Sequence, residues 1–263
     1  MDLTVQAMSG IMSITGFPDR PPVKAGPAIV DFSAGIHLYG ALMTALYERE
    51  KTGIGRLVEV SMQEAVYATL SSSLGMMFGD KQAPGRTGNR HSGLAESPYN
   101  VYPASDGHVA IISVSEAHWN GLARAMGRPE LADDPRFNTV LSRLKHIDLT
   151  DQIVSDWSSQ LTRSEITELC RANRVPCAAV RDLLEVTGDK HLHARGMLRE
   201  IAHPEYGDIL VHRSPLVLHD AGAPEYVPSA RLGQHNGEVL SEYLGLSSSE
   251  IDALRLSGAI AQA

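Results

Sequence analysis

The sequence is short of cysteine, of positive charge and of long apolar runs, and each shortage removes a class of protein. It has only two cysteines, Cys170 and Cys177, separated by six residues. That gap matches no common metal spacing, and two thiols cannot form the disulfide framework of a small secreted domain. Both are expected to be reduced, spectator thiols. Lys and Arg number 23 against 31 Asp and Glu, for a net charge of −8. A phosphate-rich surface such as DNA is repelled by such a chain, so no nucleic-acid partner is expected. No apolar run suggests a bilayer span, and no membrane partner is expected. The start, Met1-Asp2-Leu3-Thr4, lacks the basic segment and apolar run of a secretory signal, so the protein reads as cytoplasmic. Internal repeats, low-complexity tracts and long charge runs are absent too.

Several chemical signatures are missing as well. There is no HExxH, so no metal site is expected even though His191 and His193 lie two apart with His203 beyond. The short glycine clusters at 53–55 and 85–88 do not extend into GxGxxG or GxxxxGK[ST], and no GxSxG elbow occurs.

What is present is an ordinary globular composition, 43% apolar and 21% charged, over 263 residues, enough for one large domain or two modest ones. Residues 3–13 are compatible with a short helix, and a proline-rich turn follows at 16–22. The clearest element comes next. Phe32, Ile36, Tyr39, Met43, Leu46 and Tyr47 recur at helical spacing, with Lys51 and Gly53 as stop signals. Asp31 stands just before this stretch, where an N-cap belongs. Residues 56–62 alternate and read as a strand, and 63–78 as a helix, which together suggest an α/β layer architecture. Residues 82–98 form a loop. Beyond it the pattern predicts strands at 99–102 and 108–114, helices at 116–126, 138–160 and 163–173, and a strand near 175–180. A short helix near 181–187, short strands over 196–220 and a helical end broken at Gly245 complete the series.

Position alone leaves two readings of Asp31 open. A carboxylate at a helix N-terminus can simply satisfy free N–H groups, or it can be held ionised and oriented as a nucleophile. His37, six residues on, reads as a polar-face histidine. Arg86, Arg90 and His91 give the 85–93 loop a cationic character able to meet an anionic ligand, although a solvated connector explains them equally.

A set of ordered blocks resembles the class III coenzyme A-transferases, the CaiB/BaiF family that includes formyl-CoA transferases. The blocks are Asp2-Leu-Thr-Val-Gln-Ala-Met-Ser-Gly10, Ser13-Ile-Thr-Gly16, Gly26-Pro-Ala-Ile-Val-Asp31, Gly35-Ile-His-Leu38 and Gly53-Ile-Gly-Arg56. Val58-Glu-Val-Ser-Met62, Gly88-Asn-Arg-His91, Asp106-Gly107 and Leu232-Gly-Gln-His-Asn236 continue the order, so the resemblance covers essentially the whole chain.

The resemblance implies an α/β fold. It would comprise part of a large domain over 1–90, a smaller α+β domain over 91–205 and a C-terminal return to the large domain over 206–263. An interlocked homodimer is also implied. So is transfer of CoA from an acyl-CoA to a carboxylic acid, with Asp31 as the nucleophile and CoA as substrate rather than a permanently bound cofactor. The family's Rossmann-like segment precedes the first block and supplies most CoA contacts. Here only its edge, Asp2 and Leu3, is expected to remain, and a separate N-terminal half is a possible partner. Arg90, His91, Ser92 and Gly93 fall near the family's substrate loop, whose glycine-rich form is not reproduced. The alternatives are an inactive or split-enzyme subunit that needs an N-terminal partner and, within the same fold family, an α-methylacyl-CoA racemase. Its glutamate position is taken by Ser115, with Glu116 one place on.

Overall fold

The computed structural model describes residues 1–222 and 225–261, apart from the Asp80 side chain. The chain divides into two compact units, Met1–Val180 and Arg181–Ala263.

The first unit opens with α1 (Asp2–Met8) and α2 (Ile11–Ile14), separated by Gly10 in the left-handed conformation at φ 92°. After the proline-rich turn comes α3 (Ile29–Thr52), 24 residues long. It ends as the sequence predicts: Gly53 takes φ 72° and its N–H bonds the Arg49 carbonyl at 2.8 Å, the left-handed stop that a residue with a Cβ adopts only at a cost. Its start differs from expectation. The N-cap position is Ala28, and Asp31 is the third helical residue.

The strand expected at 56–62 does not form. Residues 54–61 run without regular structure, and Leu57 is 95% exposed. Alternating β-branched residues favour an extended chain, but a strand exists only through hydrogen bonds to a neighbour. Among the described residues no neighbour is supplied. The α/β layering read from 29–78 therefore loses its strand. The next helical stretch is broken into α4 (Met62–Ala65), a 3-10 turn at Tyr67–Leu70 and α5 (Ser71–Asp80). Val5, Ile11, Val30, Val66 and Leu70 form a small core under α1, α3 and α4.

The rest of this unit is an α+β module. β1 (Tyr99–Ala104) and β2 (Gly107–Ile112) form a hairpin in which Ala104 pairs with Gly107. Three helices follow: α6 (Glu116–Ala125), α7 (Val140–Lys145) and α8 (Ile147–Ser158), the last two parted at His146 where one helix was expected. α9 (Arg163–Ala172) leads into β3 (Cys177–Ala179), which adds antiparallel to β2, giving the order β1-β2-β3. Trp119, Leu122, Phe137, Val154 and Ile166 are fully buried against Val109 and Ile111 of the sheet. Burying each such side chain contributes about 1.5–3 kcal/mol. Gly121 is required there: a Cβ would stand 2.4 Å from the Asn173 carbonyl oxygen.

The second unit holds α10 (Leu183–Thr187), α11 (Lys190–Ala194), the antiparallel hairpin β4 (Leu198–His203) and β5 (Gly207–His212), then α12 (Asn236–Leu244) and α13 (Ser248–Leu256). Gly245, at φ 67°, makes the expected break. Every strand pairing among the described residues is antiparallel, so the observed sheets belong to α+β modules rather than to a parallel layer.

Candidate functional site

The N-terminus of α3 is fixed by a residue far away in sequence. Asp2, first in α1, accepts the Val30 N–H through Oδ1 at 2.9 Å and a bond from the Gln6 amide through Oδ2. Gln6 is buried, and its Oε1 accepts the Ala25 N–H at 2.9 Å. A carboxylate borrowed from another helix thus does the work that sequence gave to Asp31, and α3 begins two residues before Asp31. Partial desolvation pushes the Asp2 carboxyl upward. The Val30 N–H, the Gln6 amide, the Asp31 N–H and the Lys24 charge together outweigh it and hold the group below its usual range.

Asp31 is released by this arrangement. It lies on the first turn of α3, exposed, and among the described residues its carboxylate has no hydrogen-bond or ion-pair partner. The chemistry open to it is that of an accessible, unshared carboxylate aimed from a rigid helix. His37 does not join it; its Nδ1 contacts the Ser33 carbonyl oxygen at 2.8 Å.

The other expected site residues separate into two groups. Asp2 and Leu3 lie at the same end of the fold as Asp31, with Asp2 engaged as the cap and Leu3 54% exposed. Arg90 is committed elsewhere. Its Nε bonds Asp151 at 2.8 Å and its Nη2 bonds Asp148 at 2.7 Å, both on α8. Asp151 also accepts from Asn100 at 3.0 Å and from the Tyr102 hydroxyl at 2.6 Å. Burial and then the Asp151 charge push the Tyr102 phenol well above its ordinary value, which keeps it a donor. The positive charge expected to meet a ligand is therefore spent on a structural network. His91 accepts the Gly93 N–H at 3.1 Å, and its ring meets the Tyr99 ring edge at 5.3 Å. Ser92 and Gly93 line a cavity of about 330 Å³ with Met76 of α5, whose Sδ would lie 2.6 Å from a Cβ on Gly93.

Arg86 ties the same loop to the proline-rich turn, donating to the Phe17 carbonyl at 3.1 Å and to that of Arg20 at 2.9 Å. Gly88 N–H adds a bond to the Gly16 carbonyl at 2.9 Å. The loop is strapped on both sides rather than being a solvated connector.

Three participants escaped the sequence reading. Gln6 and Asp151 are ordinary polar residues on helices; Gln6 reaches Ala25, 19 residues away, and Asp151 reaches Arg90, 61 residues away. Arg143 is wholly buried: it donates to the Ser97 carbonyl at 2.6 Å, to Phe137 O at 2.6 Å and to Glu116 at 2.8 Å, and lies 5.1 Å from the Trp119 ring. Burial depresses its guanidinium pKa while Glu116 opposes the shift. Glu116 also accepts the Val140 N–H at 2.8 Å. The cysteines are closer than their spacing suggested: the Cys170 and Cys177 thiols interact directly, Cys170 buried in the core and Cys177 partly exposed beside it. Among the described residues no cluster of three His, Cys, Asp or Glu side chains could hold a metal ion.

Comparison with known proteins places this arrangement in a family. The sequence pattern of CoA-transferase family III matches residues 1–236. The chain belongs to CoA-transferase family III. It is 35% identical over 276 residues to a formyl-CoA:oxalate CoA-transferase of Streptomyces coelicolor, covering 98% of this chain and 66% of that protein. It is 33% identical to the succinyl-CoA–L-malate CoA-transferase beta subunit of Chloroflexus aurantiacus, covering 95% and 62%. The crystal structure of a CaiB/BaiF family protein from Brucella suis superimposes with a TM-score of 0.78 at 27% identity, covering 92% of this chain and 62% of that one. The chain thus spans just under two thirds of the length of these relatives.

Proposed function

We propose that the protein takes part in moving coenzyme A from an acyl-CoA donor to a carboxylic acid acceptor, with Asp31 as the covalent nucleophile. An Asp31 carboxylate oxygen attacks the donor's thioester carbonyl. The C–S bond breaks, leaving an aspartyl–acyl anhydride and CoA thiolate. The thiolate then attacks the aspartyl carbonyl and releases the donor carboxylate, so CoA is held on Asp31 as a thioester. The acceptor carboxylate attacks that thioester, and the departing thiolate returns to the acceptor's acyl carbon, freeing Asp31. No proton is consumed, and CoA is a substrate throughout. Such intermediates need water kept away from the reacting carbonyl.

The observation that carries this reading is the unshared Asp31 carboxylate on a helix start capped by a different residue. An ordinary capping aspartate is consumed by its cap; this one is not. Membership of the family supports the reaction class. A racemase finds less support: Glu116, the acid nearest that family's glutamate position, is held by Arg143 and the Val140 N–H.

Partners follow from the same reading: an acyl-CoA, a small carboxylic acid, and a second copy of the chain meeting the exposed apolar side of α3. A distinct N-terminal half is the alternative protein partner, and one relative is named as a beta subunit.

The test is trapping. The protein, alone and with any N-terminal half, is incubated with acyl-CoA donors and hydroxylamine and then mapped by mass spectrometry. A hydroxamate on Asp31 is expected, and Asp31→Asn should lower transfer by at least about 10⁴-fold. Transfer retained in that variant would falsify the assignment, and α-carbon deuterium exchange without an adduct would turn it toward racemisation.

A further inference from the structure

The second unit carries a cavity that the transferase reading does not use. It has a volume of about 450 Å³ and lies between the β4–β5 hairpin and the segment after β5. That size suits a small organic ligand. Its polar lining includes Arg199, His212, Arg213 and Ser214, and Leu216, Leu218 and Tyr226 contribute apolar and aromatic surface. Among the described residues no carboxylate lines it.

Both arginines reach the neighbourhood of Gly196. Arg199 Nη2 and Arg213 Nη1 each lie 4.0 Å from the point where a Cβ on Gly196 would stand. The Arg199 guanidinium lies 5.5 Å from the centroid of the Tyr226 ring, which holds it in place. Arg213 Nε is buried and has no hydrogen-bond partner among the described residues. Neither guanidinium forms an ion pair among the described residues. Two like charges brought together without a counter-charge repel, and a buried guanidinium N–H left unbonded carries a desolvation cost. One oxyanion between them would relieve both. Guanidinium forks match the planar, two-oxygen geometry of a carboxylate, while the leucines and the tyrosine ring would accept an apolar body but offer nothing to a small, fully hydrated ion.

We propose that this cavity binds an organic carboxylate with a short apolar chain, its carboxylate between Arg199 and Arg213 and its hydrocarbon against Leu216, Leu218 and Tyr226. The cavity is lined by residues of the second unit, and its existence does not depend on the proposed transfer chemistry.

Isothermal titration of the full chain with hexanoate tests it, with 1-hexanol and inorganic phosphate as comparison ligands. Saturable hexanoate binding is expected, with both comparison ligands at least about tenfold weaker. Arg199→Gln with Arg213→Gln should weaken hexanoate by more than about tenfold, the Lys pair should fall between that variant and the parent, and Asp31→Ala should leave affinity unchanged. On the unaltered protein, hexanoate should protect Arg199 and Arg213 from phenylglyoxal, a readout that does not depend on any variant folding. The proposal is overturned by the absence of saturable binding up to about 10 mM, by unchanged affinity in the Gln pair, or by hexanol or phosphate binding as tightly as hexanoate. Loss of binding in Asp31→Ala, or failure of hexanoate to protect the two arginines, would place the ligand elsewhere.

Discussion

Asp2 and the cysteine pair show how far a side chain's role depends on what it meets. Because the folded Asp2 carboxyl titrates below its ordinary value, its contribution to stability is present in full above the unfolded-state pKa of about 3.9 and is lost as pH falls through the folded value. Asp2→Asn should therefore lower the melting temperature at pH 7, and the gap from the parent should close as both are melted at progressively lower pH below 4. A gap constant across that range would mean that Asp2 acts only by packing. At the second site, the hydrogen bond from Cys170 draws the Cys177 thiol below its usual value, while the same contact, together with burial, pushes Cys170 far up. Of the two thiols, Cys177 is the one that ionises more readily. Iodoacetamide should therefore modify Cys177 first, with Cys170 reacting only on unfolding, as peptide mapping over time would show. Read from spacing alone, both thiols were spectators. A gap of six residues excludes common metal motifs but says nothing of a turn that folds β3 back beside α9.

At the scale of elements, local signals carried much of the second half of the chain. The turn at 104–107, the helices at 116 and 163 and the break at Gly245 each announce themselves within a few residues. Two failures had a single cause. The 56–62 strand and the Asp31 cap both required knowledge of a distant neighbour: a partner strand in one case, Asp2 in the other. Periodicity reports which face is apolar but not what lies against it. Arg143 makes the same point from the opposite side, since a charged residue at complete burial is unusual and no local pattern marks it. Arg143→Leu leaves two buried carbonyls without their donor and takes the ion-pair partner from Glu116, which keeps only its bond from the Val140 N–H. The expected loss is about 3 kcal/mol, the low end for breaking a buried pair because Glu116 can rehydrate. Urea denaturation followed by Trp119 fluorescence would measure it, and a loss below about 1 kcal/mol would show that the carbonyls find water instead.

Over the whole molecule, the largest departure from expectation is α3. Its apolar stripe was legible, yet Phe32, Ile36 and Tyr47 are each more than 65% exposed, and only Val30 is buried. An 18-residue window within it averages a hydropathy of 1.4, so by length and composition it is long enough to cross a bilayer, contrary to the reading that no run approached that length. Helices covered by other protein meet the same criterion. An apolar face of this extent is the surface on which the proposed association with a second copy is tested. Replacing Ile36 and Tyr47 with Glu should shift the chain toward monomer in sedimentation velocity, with helix content preserved. An unchanged distribution would remove α3 from the interface. The Asp2–Val30 bond also has a practical side for anyone preparing the protein. An affinity tag fused at Met1 would emerge one residue from the group that sets where the Asp31 helix begins, and its bulk or charge would act on that bond first while leaving the bulk fold intact. Placing the tag at the C-terminus, in the unit that does not hold Asp31, keeps an inactive preparation from being mistaken for an inactive enzyme.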